Sequence, residues 1–197
     1  MPKVLSAADI DAFREKLCDV AEGLFAARGP DGVTLRELAV AMGVSSMTPY
    51  RYFKDKDAIL AAVRTRAFNR FAEAMEAAAA RQHKTKGGQP YNAYLDFALG
   101  NRAAYRMMFD VSQPTVGNYP DLVAAMSRAR LTMGAGIRDL AAQGKFKGDV
   151  ERAAHIGWAQ MHGAVMLELA GLLASPMDAR AIAIPALALL TKELGFG

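Results

Sequence analysis

Residues 34 to 43 read TLRELAVAMG, and no other stretch constrains the fold as tightly. Thr34 and Glu37 have the spacing of a capping box, in which a hydroxyl and a carboxylate each satisfy a free amide at a helix start. The helix they open is only about two turns long before Gly43 stops it. Helices this short are marginal alone and must be held by neighbours. One neighbour precedes it, where Ile10, Phe13, Leu17, Val20 and Leu24 recur at steps of three and four. That stripe predicts a first helix stopping near Gly29 and Pro30.

A third candidate helix lies within VSSMTPYRYF, residues 44 to 53. Proline inside a helix costs about 3 kcal/mol or more, because it lacks a donor and its ring meets the carbonyl four residues back. Pro49 is tolerated if Ser46 caps the helix, since the missing donor then falls among amides that have no partner anyway. The helix is therefore expected to begin no earlier than Met47, with Ser46 and Met47 at its tip. A fourth helix begins near Asp55 and carries Leu60, Val63, Ala67, Phe71 and Met75 along one side. Phe53 is read as core, packing inward against the first helix.

Two short helices joined by a tight glycine turn form a helix-turn-helix, whose second member lies in the DNA major groove. Composition fits that role, because Ser46, Met47, Thr48, Tyr50, Arg51 and Tyr52 supply hydroxyls, a guanidinium and flat rings for base edges or phosphates. Charge is concentrated just beyond. Residues 51 to 70 carry Arg51, Lys54, Lys56, Arg64, Arg66 and Arg70 against only Asp55 and Asp57, within a chain of net charge +4. A solvated helical face and a phosphate-binding surface both fit such a cluster.

Residues 9 to 56, with TLRELAVAMGVSSMTPYRYFKDK as the diagnostic part, resemble the DNA-binding domain of the TetR family of bacterial transcriptional regulators. The resemblance implies that Ser46, Met47, Thr48, Arg51 and Tyr52 meet bases, and that Thr34, Tyr50 and Lys56 grip phosphates. Arg36, exposed on the second helix, is placed to reach DNA as well. The departure is Pro49, where many members have an aliphatic residue. Residues 157 to 171, GWAQMHGAVMLELAG, with ALGNRAAYRMMF at 98 to 109, are similar to a class of TetR C-terminal domain known by a Trp-His-Gly signature. Here Trp158 is followed by His162 and Gly163.

The expected fold is all-α with about nine helices: an N-terminal three-helix helix-turn-helix domain and a C-terminal helical domain for ligand binding and dimerisation. The boundaries are 1–54 for the first, 55–86 for a linking helix and connection, and 87–197 for the last. RQHKTKGGQP, residues 81 to 90, reads as a linker from its glycine, proline and polar content. Methionine and aromatic side chains are abundant further on, and they line adaptable pockets or simply fill cores. The candidate ligand-binding residues are Phe71, Met75, Phe97, Met107, Met108, Met126, Met133, Trp158, Met161 and His162. Trp158 and His162 lie four apart on one face, where a core or interface role for the histidine competes with ligand contact.

The last two helices, about 151–173 and 178–194, are nearly uncharged, and the first is rich in glycine and alanine. Helices apolar nearly all round must be buried. A twofold four-helix interface accounts for that burial, and TetR relatives dimerise in this way. Pro185 is expected to kink the final helix or mark its first turns.

Other classes find little support. Cys18 is the only cysteine, so an intrachain disulfide or multi-cysteine metal site is excluded and a reducing, cytoplasmic setting is the simpler reading. His155 and His162 are seven apart without a further ligand in the pattern, so no metal is expected. The opening twenty residues have no signal-peptide core. The longest uncharged stretch, residues 153 to 167, is too short for a membrane span. The common catalytic and nucleotide-binding motifs are missing, and Gly134-Ala135-Gly136 sits in a predicted helical run, so neither an enzyme nor a cofactor is expected. A helical module that binds protein without reading DNA is the alternative. The expected partners are a double-stranded operator, a second copy of the chain and a small effector, which makes the chain a ligand-responsive regulator, on family grounds a repressor.

Overall fold

The structure, a computed structural model, describes residues 6–85, 90–110 and 115–193. Among them are nine α-helices and no strands. They are α1 (Ala7–Arg28), α2 (Leu35–Ala41), α3 (Lys56–Thr85), α4 (Pro90–Gly100), α5 (Arg102–Met108), α6 (Pro120–Met133), α7 (Ala135–Ala142), α8 (Val150–Leu169) and α9 (Ala179–Glu193). Two single turns of 3-10 helix, Pro49–Arg51 and Val116–Asn118, complete the set. The chain divides into two compact units, Met1–Phe68 with Ala103–Ala125, and Asn69–Arg102 with Met126–Gly197.

In the first unit, local signals set the helix ends. Ser6 and Asp9 form a capping box at the start of α1, and Gly29 closes it at φ +73° with its amide donating to the Phe25 carbonyl. Gly29 suits that left-handed angle because a side chain there would be strained. The expected stop at Gly29 and Pro30 is thus met. The buried face of α1 is Leu17, Cys18, Ala21 and Phe25, whereas Ile10, expected in the stripe, is 37% exposed on a first turn that lies beyond the core. Those side chains pack with Val33, Leu38, Phe53, Ile59, Leu60, Val63 and Met107 into one cluster. Burying each large member contributes about 1.5–3 kcal/mol.

Among the described residues of this unit Arg64 is the one buried charged side chain, at 4% exposure. Its Nη2 donates to the Met108 carbonyl at 2.9 Å, at the C-terminal end of α5 where carbonyls lack helical partners. Burial lowers the guanidinium's pKa, and the charge of Asp110 opposes that shift. In the same unit Phe109 meets the edge of Phe68, with ring centroids 5.9 Å apart, and tilts against Tyr105 at 4.9 Å.

The second unit is built on α8, which packs against α4, α7 and α9. Phe71, on α3, takes the edges of Tyr94 and Phe97 at 5.5 and 5.2 Å between centroids, so its ring is boxed on two sides by α4. Glu168 ties three elements, because its Oε1 accepts from Arg102 at 2.9 Å and its Oε2 accepts the Ala179 amide at 2.8 Å at the start of α9. Arg128 forks onto Glu76 through Nε and Nη2, at 2.9 and 2.6 Å.

Two expectations need correction here. Residues 81–85 continue α3 to Thr85. This part of the expected linker has no glycine or proline to stop a helix, and residues 86–89 lie outside the described residues. Gly134 does not sit within a helical run but separates α6 from α7. A Cβ there would fall 2.6 Å from Arg138 Nη1 and 3.2 Å from Ala154 Cβ, so glycine permits the close approach to α8. Within one chain α8 buries Ala153, Ala154, Met161, Ala164, Val165 and Leu169, whereas among the described side chains of α9 Ala179 and Ala183 are buried and Leu189 is 66% exposed. Pro185 lies inside α9. No described helix is long and apolar enough to cross a membrane.

Candidate nucleic-acid interface

The site is organised by α2 and the turn after it. Thr34 Oγ accepts the Glu37 amide at 3.2 Å, and Glu37 Oε2 accepts the Thr34 amide at 2.8 Å, completing the expected capping box. Glu37 also pairs with Arg28 at 2.7 Å, and these donors hold its carboxyl down at about 2, the Thr34 amide contributing most. Gly43, at φ +69°, turns the chain, and the Val44 amide donates to Ala39.

The third member of the motif is a single 3-10 turn rather than a regular α-helix. Proline explains its shortness and its start. Pro49 is the first residue of the turn, where its fixed φ suits a helical entry and no amide is needed. The expected cap at Ser46 is therefore corrected to Thr48, two residues nearer the proline, with no side-chain bond to the turn's own amides. Instead the Thr48 amide donates to the Ser45 carbonyl at 2.9 Å, and the two hydroxyls share a 3.0 Å hydrogen bond. The Pro49 carbonyl accepts from both Tyr52 and Phe53 at 3.0 Å, which closes the turn.

This turn sorts its side chains. Pro49 and Phe53 point into the core, and Arg14 lies 4.5 Å above the Phe53 ring as a cation over a π-face. Tyr52 stacks on Phe13 with centroids 4.0 Å apart and is half-buried. Ser46, Met47, Tyr50 and Arg51 are exposed, while Thr48 is half-buried. Asp55 Oδ1 accepts the Ala58 amide at 2.8 Å and so caps α3. Lys56, next in sequence, donates Nζ to the Pro30 carbonyl at 2.9 Å, which anchors the start of α3 to the loop after α1. An ammonium has three donors, so two remain for other acceptors.

The six cations of residues 51–70 do not form one surface. Arg64 is buried, and Arg66 pairs with Asp19 and Glu15. Among the described residues the side chains of Arg36, Arg51 and Lys54 are exposed and make no hydrogen bond or ion pair. Lys54 was not singled out from sequence, although it stood in the charge cluster beside Arg51. Thr34 is exposed but its hydroxyl is engaged in the capping box.

The candidate ligand residues divide between the units. Met107 and Met108 are buried in the first, Met107 within the cluster around Leu17 and Leu38. Phe71, Met75, Phe97 and Met161 are buried in the second, where Met126, Met133, Trp158 and His162 are half-buried. Burial pushes the His162 pKa below the usual imidazole value. His155, on the same helix, donates Nδ1–H to the Glu151 carbonyl at 2.7 Å, and its ring lies 6.3 Å from that of Trp158. Among the described residues no cluster of histidine, cysteine and carboxylate groups could hold a metal.

Two family profiles match. Residues 17–63 match one described as bacterial regulatory proteins, tetR family, and residues 91–190 match the tetracyclin repressor-like C-terminal domain. The chain belongs to the TetR family. Members of this family are DNA-binding transcriptional regulators rather than enzymes, and they dimerise. Solved structures share the fold. A protein of unknown function from a Rhodococcus species is 24% identical over 99% of both chains, with a TM-score of 0.78. The TetR family regulator PfmR from Thermus thermophilus is 21% identical over 90% of this chain and 97% of its own, with a TM-score of 0.63. SmeT, repressor of the Stenotrophomonas maltophilia multidrug efflux pump SmeDEF, is 20% identical over 91% of this chain and 89% of its own, with a TM-score of 0.64. Among curated proteins nothing matches.

Proposed function

We propose that this TetR protein is a cytoplasmic, ligand-responsive repressor that binds a palindromic operator as a homodimer. The observation that carries this reading is the sorting of side chains in residues 44–56. Pro49, Tyr52 and Phe53 hold the turn to the core while Ser46, Met47, Tyr50 and Arg51 stay exposed, with Arg36 and Lys54 unpaired among the described residues. Unpaired cations beside an uncharged tip suit phosphates flanking a base edge. In this reading Ser46, Met47, Thr48, Arg51 and Tyr52 meet bases, while Thr34, Arg36, Tyr50, Lys56 and the added Lys54 meet phosphates. Two such turns enter successive major grooves about one helical turn apart and exclude polymerase.

The proposed dimer forms through α8 and α9, whose apolar side chains remain partly open in one chain. Residues 1–54 serve as the reading head, 55–86 as the linking helix and connection, and 87–197 as the effector-binding and dimerisation domain. A small apolar or amphipathic effector among the buried aromatics and methionines of that domain acts through α3, which contributes residues to both units. It releases the operator only through higher affinity for the head spacing that does not fit DNA.

Selection of bound sequences from a random DNA pool tests the reading directly, with an enriched palindrome as the expected result. The double variant Tyr50→Ala, Arg51→Ala should lose that DNA and remain dimeric. Ligands that raise the melting temperature should include some that weaken operator binding. A pool without enriched sites would reject the DNA-reading role, and a ligand series without any effect on DNA would reject the coupling.

A further inference from the structure

Residues 44–50, VSSMTPY, contain no cation, no carboxylate and no carboxamide. In the major groove a guanidinium matches guanine, a carboxamide matches adenine, and a carboxylate accepts from the amino group of cytosine. Thymine alone presents a methyl group, which calls for an apolar partner. Residues 44–50 therefore lack the bidentate readers of the other three bases, while Arg51 just beyond them supplies a guanidinium that matches guanine, so the chemistry of 44–50 is hydroxyl and apolar.

The structure narrows that chemistry further. The Ser45 and Thr48 hydroxyls are bonded to each other at 3.0 Å, and Pro49 is buried. Of the tip side chains, Ser46, Met47 and Tyr50 remain exposed, with Met47 at 67% and Tyr50 at 51%. A methionine held out in water at the turn that precedes Pro49 contributes little to the core below it. Its unbranched, polarizable thioether adapts readily to an apolar surface.

We propose that Met47 reads thymine. Each half-site of the operator presents a thymine 5-methyl group against the Met47 side chain, and the neighbouring Ser46 hydroxyl is available as a donor to the O4 acceptor. This rests on the DNA-reading role proposed above and adds the base chemistry that the tip selects.

Replacing thymine by deoxyuridine removes that methyl and leaves every hydrogen-bonding group in place. The experiment takes the selected operator, substitutes each thymine in turn by deoxyuridine in both half-sites, and measures binding of the full-length dimer. One symmetric pair of positions should weaken binding by about fourfold per half-site, the worth of one buried methyl group. Met47→Ala should bind the thymine and deoxyuridine operators equally, whereas Met47→Leu, which keeps an apolar tip, should retain the preference for thymine. Met47 lies outside the buried cluster, so neither variant should change the melting temperature.

A palindromic operator bound equally well with deoxyuridine at every position would overturn the Met47 assignment while leaving the regulator reading intact. A deoxyuridine effect that persists unchanged in Met47→Ala would also overturn it, because the methyl would then act through another residue or through DNA shape. Absence of any selected DNA would reject both proposals together.

Discussion

The head around α2 and the paired helices α8 and α9 leave opposite kinds of surface open. In the head the apolar groups are enclosed by α1, α2 and the first turns of α3, and what stays exposed is a row of hydroxyls and cations with Met47, Tyr50 and Val40. Gly157 of α8 lies beside Leu187 of α9, where a Cβ would come 3.6 Å from Leu187 Cδ2. Leu167 and Leu189, by contrast, are left facing out. One surface is suited to a hydrated polyanion, and the other to a second apolar surface, because burial of apolar area is the principal gain in association. The two regions can therefore be disabled separately.

The largest effect should come from the core of the head. Phe53→Ala removes a ring packed under Arg14 and among Leu17, Leu38 and Ile59. It should cost about 3–5 kcal/mol of stability in urea unfolding, with operator binding falling in proportion to the unfolded fraction. A loss below about 1 kcal/mol would mean the head is not held by this cluster. Next is Leu189→Glu. The side chain is exposed in one chain, so the monomer fold should be unaffected, while an unpaired carboxylate in the proposed dimer interface should raise the dissociation constant about 100-fold. Sedimentation that still reports a dimer at low micromolar concentration would remove α8 and α9 from the interface.

Long periodic signals and a cap of fixed spacing were legible in the sequence, whereas the short turn after the cap was not. The stripe Leu60, Val63, Ala67, Phe71 and Met75 is buried along its whole length, because thirty residues of helix leave the period no ambiguity. The Thr34 and Glu37 box was legible because a cap needs only two residues at fixed spacing. The turn after it was harder. Three positions, Ser45, Ser46 and Thr48, offered a hydroxyl ahead of Pro49, and the choice depended on the Ser45 to Thr48 hydrogen bonds, which spacing does not reveal. Charge misled in a similar way. Arg64 counts as a surface cation in the sequence, yet the Met108 carbonyl that draws it inward lies 44 residues away. Lys54 had the same formal charge and could be separated from Arg64 only by burial.

Two smaller effects sharpen the contrast between the head and the C-terminal helices. Thr34→Ala removes the hydroxyl that accepts the Glu37 amide, and should cost about 1 kcal/mol as other N-cap losses do. Thr34→Ser, which keeps the acceptor, should recover most of it. Operator affinity measured well below the unfolding transition separates the cap from the phosphate role, since a phosphate contact would weaken binding even where the head is fully folded.

His162 provides the smallest effect, and its sign is fixed by burial. The folded-state pKa lies below the ordinary imidazole value of 6.5 because the half-buried ring is less well solvated as a cation. The unfolded chain therefore takes up a proton near pH 6.5 before the folded chain does, and binds more protons across the interval below it. Stability should decline as pH falls from 6.5 to the folded-state pKa, and His162 should add no further decline below that. His162→Gln keeps a polar side chain but cannot titrate, so the decline in this window should be reduced relative to the parent protein. Acid-induced loss through Glu37 is centred lower, since its stabilisation is present above the ordinary carboxylate range and disappears as pH falls towards about 2. The two windows allow the histidine of α8 and the carboxylate of the head to be read in one titration of melting temperature. An unchanged decline below pH 6.5 in His162→Gln would assign it to groups other than the half-buried imidazole.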